Sequence, residues 1–149
     1  MNLQPNWPGR GDLRRWIYGG LDVLFAAVYI VAIAKVIPNR NLSASIHLWT
    51  LPIFTLVLAA ATVYGGQLGW KAGIAAGSAL LLSAFLLILR ILISAAFLAG
   101  VYGGFGKAAA SFALAMVAIV VEIVVLLPIV QVKYLMSRAG RRAFGAPLP

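Results

Sequence analysis

Between Ala72 and Gly100 the chain reads AGIAAGSALLLSAFLLILRILISAAFLAG, 29 residues with a single charge, Arg90. A helix at the surface of a soluble protein keeps one apolar stripe and one polar face, whereas this stretch is apolar on every side. A membrane span needs about 20 mostly apolar residues, each adding about 1.5 Å of rise, and the stretch meets that requirement. It is rich in Leu and Ala and shows none of the alternation that marks the strands of a transmembrane barrel. The reading is therefore a helix in lipid.

The same test picks out three more stretches. The predicted spans run over residues 16–37, 48–66, 70–100 and 107–134, with basic tails over 1–15 and 135–149. The first ends at Pro38, whose ring cannot continue a helix without losing a hydrogen bond. It carries Asp22 within its apolar part, and Pro38, Asn39 and Arg40 follow it in place of the small residues of a signal-peptide cleavage site. The loops are short, so consecutive helices are expected to be antiparallel neighbours. The expected fold is all-α: one membrane domain, an antiparallel four-helix transmembrane bundle.

Composition agrees. Apolar residues make up 63% of the 149 and charged residues 10%, against about 45–50% and 25% in soluble domains. Without cysteine there is no disulfide framework and no Cys-based metal site. The loops hold too little polar sequence for a separate catalytic domain, no hydrolase triad can be assembled, and no cofactor or metal is expected. The lone His47 stands at a predicted helix start and reads as an interfacial residue.

The 12 Lys and Arg against 3 Asp and Glu give a net charge of +9. They flank apolar stretches instead of forming a basic stripe, so nucleic-acid binding has no support. Arg10, Arg14, Arg15, Lys71, Lys133, Arg138, Arg141 and Arg142 fall on the side of the termini, while Lys35, Arg40 and Lys107 fall on the other. The positive-inside rule then makes both termini cytoplasmic, in a plasma or inner membrane. Basic groups alternate with apolar ones from Gln131 to Phe144, so the fourth helix is expected to run past the bilayer. Arg14, Arg15, Arg138, Arg141 and Arg142 are the expected contacts to anionic headgroups.

Ionised groups inside a bilayer cost at least about 2.5–3.5 kcal/mol at its centre, so each needs an explanation. Arg90 lies about 15 Å and Glu122 about 22 Å from the same end of their spans, which suggests a buried ion pair that sets helix register. Asp22 lies about 9 Å inside the terminal side and is expected to be hydrated, to pair with basic groups, or to accept from Tyr18 or Tyr29. Asp22 and Glu122 are also the candidate proton or ion sites. Ser111, Ala115, Ala118 and Glu122 share a helical face with Lys133, and small residues beside a carboxylate suggest a close helix neighbour. Gly73 and Gly77 form a GxxxG pattern on the third span.

Val63-Tyr64-Gly65-Gly66 recurs as Val101-Tyr102-Gly103-Gly104, with Tyr18-Gly19-Gly20 as a partial copy. The Walker pattern is absent, so these read as turns and helix ends where Gly supplies positive φ, not as phosphate cradles. Asn41-Leu42-Ser43 matches the N-glycosylation pattern. In function the chain reads as an accessory or scaffold subunit, or a homo-oligomer, working by contact with other membrane subunits or with itself and without catalysis. The alternative is a minimal proton- or cation-coupled transporter using Glu122 and Asp22.

Overall fold

The computed structural model describes residues 13–36 and 42–147, and every regular element among them is helical. Arg10, Pro38, Arg40 and Asn41, the acceptor of the glycosylation pattern, lie outside the described residues. Helix α1 covers Leu13–Val31 and passes into a π-helical turn, Ala32–Val36; α2 covers Leu42–Tyr64; α3 covers Gly66–Val101. Helix α4 covers Gly103–Val120, a second π turn Val121–Val125, α5 Leu126–Met136 and α6 Arg138–Ala143. Four helical stretches are long and apolar enough to cross a membrane: Leu13–Lys35, Leu42–Tyr64, Gly66–Val101 and Gly103–Met136.

The turns are tighter than sequence spacing suggests, because glycine closes them. Gly65 and Gly66 have φ of 70° and 67°, and Gly103 has φ of 56°, a region costly for residues that carry a Cβ. Helices α3 and α4 therefore begin only a residue or two after their predecessors end. Gly19, in the partial copy, is no turn. It lies inside α1, where an added Cβ would come within 2.7 Å of Val63.

Helix α3 is the central element, packed against α2, α4, the second π turn and α5, while α1 packs on α2. Between helices in lipid, close packing and polar contacts replace the hydrophobic effect as the adhesive. Gly69, Gly73 and Gly77 supply the closeness. A Cβ on Gly69 would meet the Ala61 carbonyl oxygen of α2 at 2.6 Å, and those on Gly73 and Gly77 would meet Leu135 at 3.0 Å and Val132 at 2.5 Å on α5. The buried core gathers Leu51, Leu58, Leu80, Ala84, Val124 and Leu135, while Leu24, Phe85, Phe97, Phe112 and many other large apolar side chains face outward.

Two prolines sit within the spans. Pro52 is buried in α2. Pro128 of α5 has no N–H to offer the Val124 carbonyl, and the π turn at Val121–Val125 lies immediately before it, a common local repair of that loss. Its extra residue rotates α4 relative to α5. The single face drawn from Ser111 to Lys133 at a constant 3.6-residue period is thereby broken.

The spans also differ in length. Helix α2 has 23 residues, about 35 Å, and α3 has 36, about 54 Å. His47 Nε2 lies 2.9 Å from the Ser83 carbonyl oxygen, and Arg90 donates to Ser43 Oγ at 3.4 Å, so the first turns of α2 stand level with residues 83–90 of α3. Beyond that level the α3–α4 hairpin continues for about 16 Å, mostly apolar, with Lys107 near its tip at Tyr102.

At the other end the chain closes on itself. Helix α5 stops at Met136. Ser137 is extended there, and its Oγ accepts from Gly140 N at 3.1 Å and donates to the Tyr134 carbonyl at 2.6 Å, the arrangement of an N-cap. The short α6 follows, and Gly145, with φ of 63°, turns the tail back so that Phe144 is 1% exposed. The expected straight extension of the fourth helix through Phe144 is corrected by this cap and turn.

Candidate functional site: a buried carboxyl–amide pair between the first and last spans

Helix α1 buries Gly19, Asp22, Ala26 and Tyr29, a stripe at intervals of three and four residues. Asp22 is therefore turned inward by the same periodicity that turns Leu24 and Val28 outward. From α5, Pro128, Gln131, Tyr134 and Leu135 face the interior. Gln131 Nε2 donates to Asp22 Oδ1 at 2.8 Å and lies 3.5 Å from the Tyr18 carbonyl oxygen. Asp22 is 1% and Gln131 0% exposed. The Tyr18 and Tyr134 rings close the side toward the chain ends, 5.5 Å apart.

This arrangement corrects two expectations about Asp22. At 1% exposure it is out of reach of bulk water, and no basic side chain among the described residues pairs with it. Its described hydrogen bond is to Gln131, not to Tyr18 or Tyr29. Sequence reading missed Gln131 as the partner. The available signal was a lone amide in an otherwise apolar stretch three residues after Pro128, because polar groups within spans face the protein interior and find partners.

The other two intramembrane charges are not brought together. Arg90 reaches Ser43 at the start of α2, whereas Glu122, in the π turn, is exposed. Among the described residues no ion pair joins them. The length of α3 lifts Arg90 to the level where α2 begins, and the π turn aims Glu122 away from α3. Ser111, Ala115 and Ala118 are likewise exposed, so the small-residue face is left uncovered by the described residues. Gly73 and Gly77, in contrast, are buried against α5, so the GxxxG pattern serves internal packing.

His47 ties α2 to α3 through Ser83, beside a Thr50 Oγ1 to Ser83 Oγ contact of 2.5 Å. An open groove of about 390 Å³ lies over this cluster, lined by Ser43, Ile46, Thr50 and Phe54 among others. Among the described residues no group of three His, Cys, Asp or Glu side chains is placed to hold a metal.

The basic residues at the chain-end side divide into two sets. Arg15 donates to the Thr62 and Val63 carbonyls, both at 3.0 Å, and to Ala143 at 3.5 Å, and its guanidinium lies 4.8 Å from the Phe144 ring centroid. Those carbonyls are left over at the C-terminus of α2, where a cation also complements the helix dipole. Arg141 lies 5.2 Å from the Trp70 ring centroid and donates to the Met136 and Pro147 carbonyls. Trp70 in turn donates to the Leu135 carbonyl at 2.7 Å. Arg15 and Arg141 are thus engaged in the fold and not free for headgroups, because unsatisfied carbonyls and aromatic faces lie within their reach. Arg14, Arg138 and Arg142 are exposed.

An all-α chain with four helices of membrane-spanning length and composition, closed by a buried polar pair, is the class that fold and site define. No protein-family model, no curated protein and no solved structure matches it.

Proposed function

We propose that the chain is a small membrane scaffold without catalysis of its own that assembles with further copies of itself through its first and fourth spans. The observation that carries this reading is an exposed carboxylate, Glu122, on a face of Ser111, Ala115 and Ala118 that none of the described residues covers. Small residues let helices approach closely, and a polar group on a span seeks a partner. The opposite flank supplies one. Lys35, in the π turn that follows α1, is exposed.

The two charges match in depth. Gly19 of α1 packs at Thr62 and Val63 of α2, so Lys35, 16 residues further on, stands level with His47. His47 meets Ser83, and Ser83 and Glu122 are about equally far from the Tyr102 turn. Within one copy α1 packs on α2 and α4 on α3, so the two charges lie on different flanks. A second copy oriented the same way brings its Lys35 to the depth of Glu122, and this head-to-tail contact can repeat from copy to copy.

The absence of cysteine makes a clean test. Copies carrying Lys35→Cys mixed with copies carrying Glu122→Cys are expected to cross-link to each other in the native membrane. Glu122→Lys should disperse the assembly in gentle detergent, and Glu122→Lys with Lys35→Glu should restore it. A particle mass of one chain for the unmodified protein sinks the proposal.

In this reading the helices alternate in direction and both chain ends are cytoplasmic, as the distribution of basic residues indicates. Arg14, Arg138 and Arg142 then face anionic headgroups. Replacing Arg138 and Arg142 by Gln is expected to weaken association of the cytoplasmic face with anionic lipid by about fivefold per residue. Bilayer nanodiscs of graded anionic content read this as a loss of salt-sensitive lipid enrichment. An unchanged lipid preference refutes it. The second reading, proton-coupled transport, is favoured only by the buried Asp22–Gln131 pair, and a proton-driven flux in liposomes abolished by Asp22→Asn is its test.

A further inference from the structure

Two fully buried oxygens, Asp22 Oδ2 and Gln131 Oε1, have no donor in a structure that otherwise pairs its interior polar groups. The amide and threonine donors nearby point elsewhere. Gln131 Nε2 faces Asp22 Oδ1 and the Tyr18 carbonyl. Thr55 Oγ1 donates to Leu51 O at 2.7 Å, and Thr62 Oγ1 has Leu58 O and Ala59 O at 3.0 and 2.9 Å. Arg15 is two turns nearer the chain end, on the α2 carbonyls.

The titratable groups facing Asp22 are Tyr18 and Tyr29 on its own helix and Tyr134 on α5. At this depth α2 presents Thr55 and Thr62, and α3 presents Gly73, Ala76, Gly77 and Leu80. Among the described residues no cation pairs with Asp22. Two buried acceptors on one hydrogen-bonded pair, with no donor between them, are costly to leave as they stand.

We propose that the Asp22–Gln131 pair is a proton-binding site that clasps the first span to the last. A proton taken from water or buffer forms an O–H bond at Asp22 Oδ2, and the conjugate base stays in bulk. The new O–H donates to Gln131 Oε1 while Gln131 Nε2–H donates to Asp22 Oδ1, so one proton satisfies both orphaned oxygens and removes the buried charge. Calcium and magnesium ions take six or more ligands, mostly oxygens, and this pair offers two. Loss of the proton leaves two acceptors facing each other and loosens the hold of α5 on α1. The inference does not depend on self-association, since it involves neither Lys35 nor Glu122.

The chain has only three carboxyl side chains, Asp12, Asp22 and Glu122, which makes infrared difference spectroscopy of the full chain in liposomes decisive. The expected result is a protonated-carboxylic-acid C=O band at neutral pH that Asp22→Asn removes, Glu122→Gln retains and alkaline buffer diminishes. Thermal unfolding supplies the second readout. A proton held by the folded state and released by the unfolded one makes stability fall as pH rises. The Asn amide of Asp22→Asn donates to Gln131 Oε1 and accepts from Nε2 as the protonated acid does, so this variant should show no such fall. A neutral-pH spectrum without the acid band, a band that Glu122→Gln removes, or a band that sodium abolishes at constant pH overturns the proposal. Cross-linking between positions 35 and 122 stays unchanged in Asp22→Asn if both proposals hold.

Discussion

Phe144→Ala is expected to destabilise the folded bundle by about 3–5 kcal/mol, the usual cost of emptying a fully buried aromatic site. Phe144 is 1% exposed and belongs to the same buried cluster as Leu58, Tyr134 and Leu135. It lies outside the long spans, at the end of the bundle where water and not lipid is the alternative environment. The hydrophobic effect, absent between helices in hydrocarbon, acts there at full strength. The ring also offers its face to Arg15, which a smaller side chain cannot do. Reversible unfolding in mixed micelles, followed by circular dichroism, measures the loss. Phe144→Leu should recover part of it, and a loss below about 1 kcal/mol for the Ala variant would show that the tail does not belong to the folding unit.

Arg15→Ala should cost about 2–4 kcal/mol, because hydrogen bonds from a charged donor contribute about 1.5–3 kcal/mol each and the Thr62 and Val63 carbonyls lose theirs together. Arg15→Lys should restore less than half of that. One ammonium cannot hold two carbonyls in a planar fork and stack on an aromatic face at the same time. Arg15 and Phe144 touch, so the double variant should lose less than the two singles combined. Unfolding free energies of the four proteins form the cycle, and strict additivity would separate the helix cap from the aromatic contact.

The four spans were legible because a long uncharged run has one stable solvent and one backbone solution in it. The turns were legible for an equally local reason, since a Gly pair behind a Tyr is where positive φ costs least. The charges were read less well. Arg90 and Glu122 look paired when depth is counted along an ideal helix, but α3 is longer than its neighbours and the π turn before Pro128 adds a residue to the count. Asp22 was correctly singled out as a residue needing explanation, while Gln131, a neutral amide 109 positions away, carried no mark tying it to Asp22. Arg15 and Arg141 look like every other flanking basic residue until the carbonyls and rings beside them are known.

The sequence alone determined that the chain is helical, that four of its stretches suit lipid, and where it turns, because each follows from solvent preference and backbone sterics over a few residues. Only the tertiary structure decided which polar groups meet: Asp22 with Gln131, Arg15 with the end of α2, and Glu122 with none of the described residues. The physical reason is that a hydrogen bond is settled within a few tenths of an ångström. One inserted residue or one close glycine contact in a distant helix rotates or shifts a side chain by more than that.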